Sequence, residues 1–252
     1  VSEQTCQQIG LVADRRGHLH TFFYDMNDAD LENEGCRLVY RRLTPGQPPP
    51  APETVLAHCG LVGHLVCAVD QEGRPHVAFH RWNNDQETPT SQRWELLYAC
   101  RDEAGWRVEQ VDAQVRVAGA TGLALDDRGQ VHLAYLDGPS RELRYACRAG
   151  WWQVETVAAI ASTGTFSLDL ADDEPYLLFL DANEYLVVSH PTASDWDVQV
   201  VADLSDGAAA TQTLHQLARP HDRPRTVNRT PDTLVVVPTM RPVPVAVATL
   251  SR

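Results

Sequence analysis

The ten residues "HCGLVGHLVC", His58 to Cys67, bring two histidines and two cysteines together within a span that would suit a soft divalent metal, provided the chain folded them onto one ion. A second group of histidines follows a rule rather than a cluster. His20, His76 and His132 stand 56 residues apart, and Asp14, Asp70 and Asp126 keep the same spacing. Imidazole beside carboxylate is the pairing that serves acid and base chemistry near neutral pH, and it also ties down buried turns. Which of these chemistries is available depends on the elements that carry the residues. Spacing this regular belongs to a repeat, which has to be settled before any motif is interpreted.

Three stretches define the repeat: "VADRRGHLHTFFYD" from Val12, "AVDQEGRPHVAFHR" from Ala68 and "ALDDRGQVHLAYLD" from Ala124. Each is an apolar segment ending in Asp, a turn containing Gly, and a second apolar segment with His near its start. A third segment follows, "CRLVYR" from Cys36, "WELLYACR" from Trp94 and "ELRYACR" from Glu142. The fourth reads "PETV" from Pro52, "WRVEQV" from Trp106 and "WQVETV" from Trp152. Short segments rich in Val, Leu, Tyr and Trp, separated by turns, predict four antiparallel strands per unit. The pattern continues with erosion through "FSLDLADDEPYLLFLD", "EYLVVSH" and "WDVQVV", where Tyr176 holds the histidine place. It is faintest in the last copy, "TLHQLARPHDRPRTVNR", "DTLVVVPT" and "VPVAVATL", with Arg225 at that place.

Five units result, at about 11–60, 61–115, 116–160, 161–204 and 205–252. Units of four strands and 40 to 55 residues predict an all-β, five-bladed β-propeller, a single domain over residues 1–252. A barrel or sandwich does not explain four strands recurring with common turn chemistry. The unit resembles the β-propeller repeats of bacterial proteins, distantly related to lectin-like and sialidase-like propellers. That resemblance implies a fold and not an activity, because propellers host binding, scaffolding and several reactions. The sialidase-type turn S-x-D-x-G-x-T-W is absent from the chain, as are HExxH, G-x-S-x-G and a phosphate-binding glycine loop.

The repeat frame sorts the polar residues. Those that recur at equivalent places, His20, His76 and His132 with their aspartates, read first as architectural, with a ring of inward imidazoles as the alternative. Trp106, Trp152 and Trp196 read as packing between blades. Other residues break the pattern. Asp169 stands where Ala68 and Ala124 stand, while His64 and His215 open first strands. His80 and Arg81 replace residues such as Tyr24 and Asp25, and Tyr176 and Arg225 replace the repeat histidine. His64, Asp169 and His215 are therefore the candidate catalytic residues; His20, His76, His80, Arg81, His132, Tyr176 and Arg225 are candidate ligand-binding residues. The frame also divides "HCGLVGHLVC" between two blades, with Cys67 aligned to Leu11 and Leu123 in the core, so no metal and no cofactor is expected. The six cysteines read first as buried thiols, then as disulfides, and last as metal ligands.

A net charge of −13 argues against a duplex nucleic-acid partner, and no run of 18 apolar residues offers a membrane span. The leading expectation is a monomer or weak oligomer that binds a small molecule or glycan at one asymmetric site near the hub, since the blades have drifted far apart. An enzyme of the lyase, cyclase or isomerase kind is the second reading and a protein-interaction scaffold the third. The sequence leaves the compartment open. "TPGQPPPAPE" from Thr44 and "NNDQETPTSQ" from Asn83 are expected to be exposed loops that border the mouth.

Overall fold

The computed structural model describes residues 9–25, 36–59, 62–83, 93–112, 119–138, 140–161 and 166–203, together with two short strands at 229–230 and 233–234. The first four repeat units each form a four-stranded antiparallel meander. Sheet one holds β1 (Ile9–Ala13), β2 (Leu19–Asp25), β3 (Arg37–Leu43) and β4 (Glu53–Leu56). Sheet two holds β5 (Val62–Val69), β6 (Pro75–Asn83), β7 (Arg93–Asp102) and β8 (Gly105–Asp112). In sheet three these become β9 (Thr121–Leu125), β10 (Val131–Asp137), β11 (Glu142–Ala149) and β12 (Trp151–Ala159); in sheet four, β13 (Phe166–Ala171), β14 (Glu174–Leu180), β15 (Tyr185–Pro191) and β16 (Trp196–Asp203). The fifth expected unit lies outside the described residues, apart from β17 (Arg229–Thr230) paired with β18 (Thr233–Leu234). Among the described residues no helix is long and apolar enough to cross a membrane.

The recurring Asp sets the turn from first to second strand. Asp14 Oδ1 accepts from the amides of Arg16 and His18, Asp126 Oδ1 from those of Arg128 and Gln130, and Asp70 Oδ1 from that of Arg74. The glycine of each turn, at φ of 82°, 84° and 77° for Gly17, Gly73 and Gly129, takes the left-handed conformation that a Cβ would oppose. Sheet four has lost this Asp and closes its turn with two residues, Asp172 and Asp173, both at positive φ as a tight hairpin requires.

Each sheet has two unlike faces, and the faces pair in order. Phe22, Leu38 and Tyr40 of sheet one pack on Leu65, Cys67, Val77 and Phe79 of sheet two. The opposite face of sheet two, with Leu96 and Tyr98, packs on Leu123, Leu133 and Tyr135 of sheet three. Sheet three in turn packs Leu143 and Tyr145 on Leu168, Leu177 and Phe179 of sheet four. The first strands β1, β5, β9 and β13 touch in series, so they form the inner edge of the arrangement. Close approach there needs Gly10: a Cβ at that residue would lie 2.7 Å from Leu65 and 2.8 Å from the Cys67 sulfur. At one end the turns are linked, Gln71 donating to Asp127 and the Asp127 amide to Asp173.

Among the described residues the two ends of the series are left without a neighbouring sheet. Leu11 corresponds in register to Cys67, Leu123 and Leu168, which are buried, yet Leu11 is 64 % exposed and its neighbour Ile9 is 76 % exposed. On the outward face of sheet four, Leu178 is only half-buried, although its counterparts Ala78 and Ala134 are fully covered.

Candidate functional site

Three of the four sheets carry the same buried Asp, His and Tyr, and in two of them the three are joined as a hydrogen-bonded relay. In sheet two, His76 Nε2 meets Asp70 Oδ2 at 3.3 Å and Nδ1 meets the Tyr98 hydroxyl at 2.5 Å. A carboxylate only accepts, so Nε2 holds the proton and donates to Asp70, and Tyr98 donates its hydroxyl to Nδ1. Sheet one repeats this with Asp14, His20 and Tyr40 at 3.4 and 2.8 Å. Sheet three has Asp126, His132 and Tyr145, with the tyrosine bonded at 2.6 Å but the carboxylate 3.9 Å from Nε2, too far for a hydrogen bond, so that ring nitrogen has no hydrogen-bond partner among the described residues. His18, two residues before His20, also bonds Asp14, at 2.8 Å. Burial pushes the His20 and His132 pKa values down, with the aspartates opposing it, so both rings stay neutral at physiological pH. For Asp14 and Asp70 burial works upward, but hydrogen bonds from His18 and His76 and from the turn amides outweigh it. Both carboxyls are held well below their usual range.

The relay ends in the next sheet. Trp106 meets Tyr40 edge-on at 5.1 Å, Trp152 meets Tyr98 at 5.3 Å, and Trp196 meets Tyr145 at 5.0 Å. These tryptophans pack between sheets, as the repeat predicts. A second tie that the sequence did not disclose runs beside it. Arg101 of sheet two pairs with Glu53 of sheet one, and Arg148 of sheet three grips Glu109 of sheet two with two bonds of 2.7 Å. In sheet four Pro191 takes the arginine place, and Glu155 accepts instead from the Trp196 indole at 3.1 Å.

The residues that break the repeat fall into separate environments. His64 stands at an irregularity between β5 and β6, where a bulge re-aims a side chain. Its Nδ1 accepts from the Thr121 amide of sheet three at 3.2 Å, while His80 Nε2 meets the Thr121 hydroxyl at 2.9 Å. His80 is fully buried, and its Nδ1 has no hydrogen-bond partner among the described residues. Burial, with some help from His64, pushes its pKa down to about 3, and burial lowers His64 as well. Arg81 pairs with Glu95 at 2.8 Å, where sheet one has Asp25 paired with Arg37: the same cross-strand ion pair with its charges exchanged. Asp169 accepts from the Leu170 amide and registers with Ala68, four residues beyond His64, or roughly 13 Å along a strand. The structure therefore sets His64 and Asp169 towards opposite ends of their first strands. Tyr176 stacks obliquely on His190 at 5.3 Å. His215 and Arg225 lie outside the described residues.

One concavity was not expected from the sequence. A groove of about 1030 Å³ runs between sheets one and two. One wall is the proline-rich connection from β3 to β4, with Thr44, Gln47, Pro48 and Pro50, and the other is formed by the turns at Glu72–Pro75 and Asp102–Ala104. Tyr40, Arg42, Glu53 and Arg101 line it between these walls. Tyr40, the outer member of the first relay, has its pKa raised to about 12, chiefly by burial. Arg74 is bound to Asp70 and Glu72, and Arg101 to Glu53, whereas Arg42 is exposed with no ion pair among the described residues. The β3–β4 connection is nine residues, 44–52, against two between β7 and β8 and one between β11 and β12, which makes this groove particular to one junction.

No family model matches the sequence, and no curated protein matches it. Among solved structures, similar ones include a protein of unknown function from Dyadobacter fermentans, 13 % identical, covering 78 % of this chain and 65 % of that one with a TM-score of 0.47. The fucose-specific lectin from Aleuria aurantia is 10 % identical over 76 % of this chain and 60 % of the lectin, with a TM-score of 0.49. A leech intramolecular trans-sialidase is 8 % identical over 79 % and 51 %, with the same TM-score. A lectin and a sialidase-type protein thus stand among the similar structures, as the repeat implies. The chain spans less than two thirds of the length of each.

Proposed function

We propose that the chain is a single five-bladed β-propeller domain that binds a glycan or small polar molecule at one asymmetric site, the groove between sheets one and two. The groove itself carries this reading. Its volume suits a ligand of one to three sugar rings. Its lining offers what hydroxyl groups need, guanidinium donors at Arg42 and Arg101 beside carboxylate acceptors at Glu53 and Glu72, and proline faces for the apolar side of a ring. The relay of Asp14, His20 and Tyr40 holds its floor from beneath. The open faces at Leu11 and Leu178 support closure of the ring by residues 205–252 as a fifth blade, since each other sheet buries these positions against a neighbour. With no cofactor needed, a net charge of −13 and a closed ring, the protein works as a monomer or weak oligomer without a nucleic-acid partner.

The acid–base enzyme is the second reading, and one observation favours it: His64 and His80 converge on Thr121, both kept neutral by burial, with an unpartnered ring nitrogen on His80. A saccharide array followed by titration calorimetry separates the two. The groove reading predicts retention of a saccharide by the wild-type protein and a loss of about 10- to 100-fold in affinity on Arg101→Ala or Arg42→Ala, the effect of removing one charge-assisted hydrogen bond. Retention that survives both substitutions and falls on His64→Ala would move the site to the Thr121 junction. No retention of any saccharide at millimolar concentration would remove the groove reading.

A further inference from the structure

The cysteine of "HCGLVGHLVC" that the repeat places between two blades, Cys59, lies against Cys36 and not against Cys67. Cys59 follows β4, and its amide donates to the carbonyl of Cys36, the residue before β3, at 2.8 Å. This bond lies just beyond the last paired residues of β3 and β4, Leu38 and Leu56, and holds the two cysteines side by side where the hairpin opens. Two cysteines held this close can form a disulfide where their Cα atoms lie within roughly 4.4–6.8 Å. Both side chains are 0 % exposed, and the thiols are hydrogen-bonded to each other. Cys67, by contrast, is packed into the core between sheets one and two among Leu65, Val77 and Phe79.

From this geometry we propose that Cys36 and Cys59 are a disulfide-forming pair, closing a covalent loop around the β3–β4 hairpin and the proline-rich wall of the groove.

The chemistry balances with a small-molecule disulfide such as oxidised glutathione as the oxidant. The Cys59 thiolate attacks one sulfur of that disulfide and expels the first thiolate. Cys36, giving up its proton, then attacks the Cys59 sulfur and expels the second. Two thiol hydrogens leave with two molecules of reduced glutathione, and one S–S bond forms. The order of attack follows from the surroundings. The Cys59 sulfur accepts from the Cys36 thiol and the Leu38 amide, with Arg81 nearby, and these lower its pKa against the effect of burial. Cys36, the donor of that hydrogen bond and also buried, is pushed up. Complete burial means that exchange occurs as the chain folds or when sheet one opens, and that the finished bond is shielded from reductant. The pair is independent of what the groove binds.

The test is to refold the whole chain from denaturant in reduced and oxidised glutathione, alkylate it with N-ethylmaleimide, digest without reduction and map the peptides. The expected product joins the peptides of Cys36 and Cys59, is 2 mass units lighter than the dithiol, and melts about 7–13 °C higher than the same sample in dithiothreitol. A Cys36→Ser/Cys59→Ser chain should show no dithiothreitol-dependent shift, and Cys67→Ser should keep it. Recovery of both residues as alkylated thiols, or of either linked to another cysteine, overturns the proposal. The wild-type map gives this answer even where the serine variants fail to fold.

Discussion

His80→Leu places at that position the residue that sheets three and four carry there, Leu136 and Leu180. At pH 7.5 two effects oppose each other. Loss of the buried Nδ1 without a partner is favourable, and loss of the bond to the Thr121 hydroxyl is unfavourable, each by about 1 kcal/mol. The variant should match the wild type within about 1 kcal/mol. Acid separates them. In the unfolded chain the imidazole takes up a proton below about pH 6.5, whereas in the fold it resists until about pH 3. Stability from this group is therefore present above pH 6.5 and lost as pH falls towards 3. At pH 5 the unfolded state has gained about 1.5 pH units of proton binding, or about 2 kcal/mol. That loss corresponds to a melting temperature lower by about 4–8 °C for a chain of this size. Thermal denaturation followed by circular dichroism at pH 7.5 and 5 reads the difference between the two proteins, so the other buried histidines cancel. If both lose melting temperature in parallel, His80 is not the buried neutral imidazole described, and the assignment of the Thr121 junction fails with it.

Tyr98→Phe keeps the edge-on contact with Trp152 but leaves His76 Nδ1 without a donor in the core, and should cost about 1–3 kcal/mol in urea denaturation with an unchanged slope. Unchanged stability would show that the hydroxyl is dispensable to the relay. The ties between sheets should differ in strength: Arg148→Met removes a two-bond contact and costs about 1 kcal/mol, while Arg101→Met, with a single bond at a more exposed place, costs about half of that or less. Equal costs in the two variants, measured by the same denaturation, would contradict that ranking.

The four strands of each described sheet, the turn aspartates and the inter-sheet tryptophans were legible because they recur, and recurrence at fixed spacing is a property of sequence alone. The partners were not. Tyr98 lies 22 residues from His76 and Tyr145 only 13 from His132, so the bond that joins each pair emerges only when register brings third strand against second. Arg81 read as a departure for the same reason. Its meaning lies in Glu95 across the strand, and the pair reproduces Arg37 and Asp25 with the charges reversed. Cys36 and Cys59 sit in one unit at places no other unit fills with cysteine, which left periodicity with nothing to compare. The groove belongs to no single repeat, since its walls come from two sheets and one of them is a connection that breaks the repeat. Asp169 and His64 looked like a pair because both sit on first strands, whereas the register separates them along the strand direction.

Sheet four shows how the relay changes. Asp, His and Tyr have all gone there, replaced in register by Ala171, Tyr176 and Val188, while the other three sheets keep all three residues. No sheet holds a mixture. A half-changed set would leave a carboxylate or an imidazole sealed in the interior with nothing to meet it, a defect costing several times what an ordinary surface substitution costs. The three positions are thus coupled through the interior of each sheet: in sheets one and two, replacing any one of them alone strands a buried polar partner, whereas replacing all three with apolar or self-sufficient residues, as sheet four does, leaves nothing unmet.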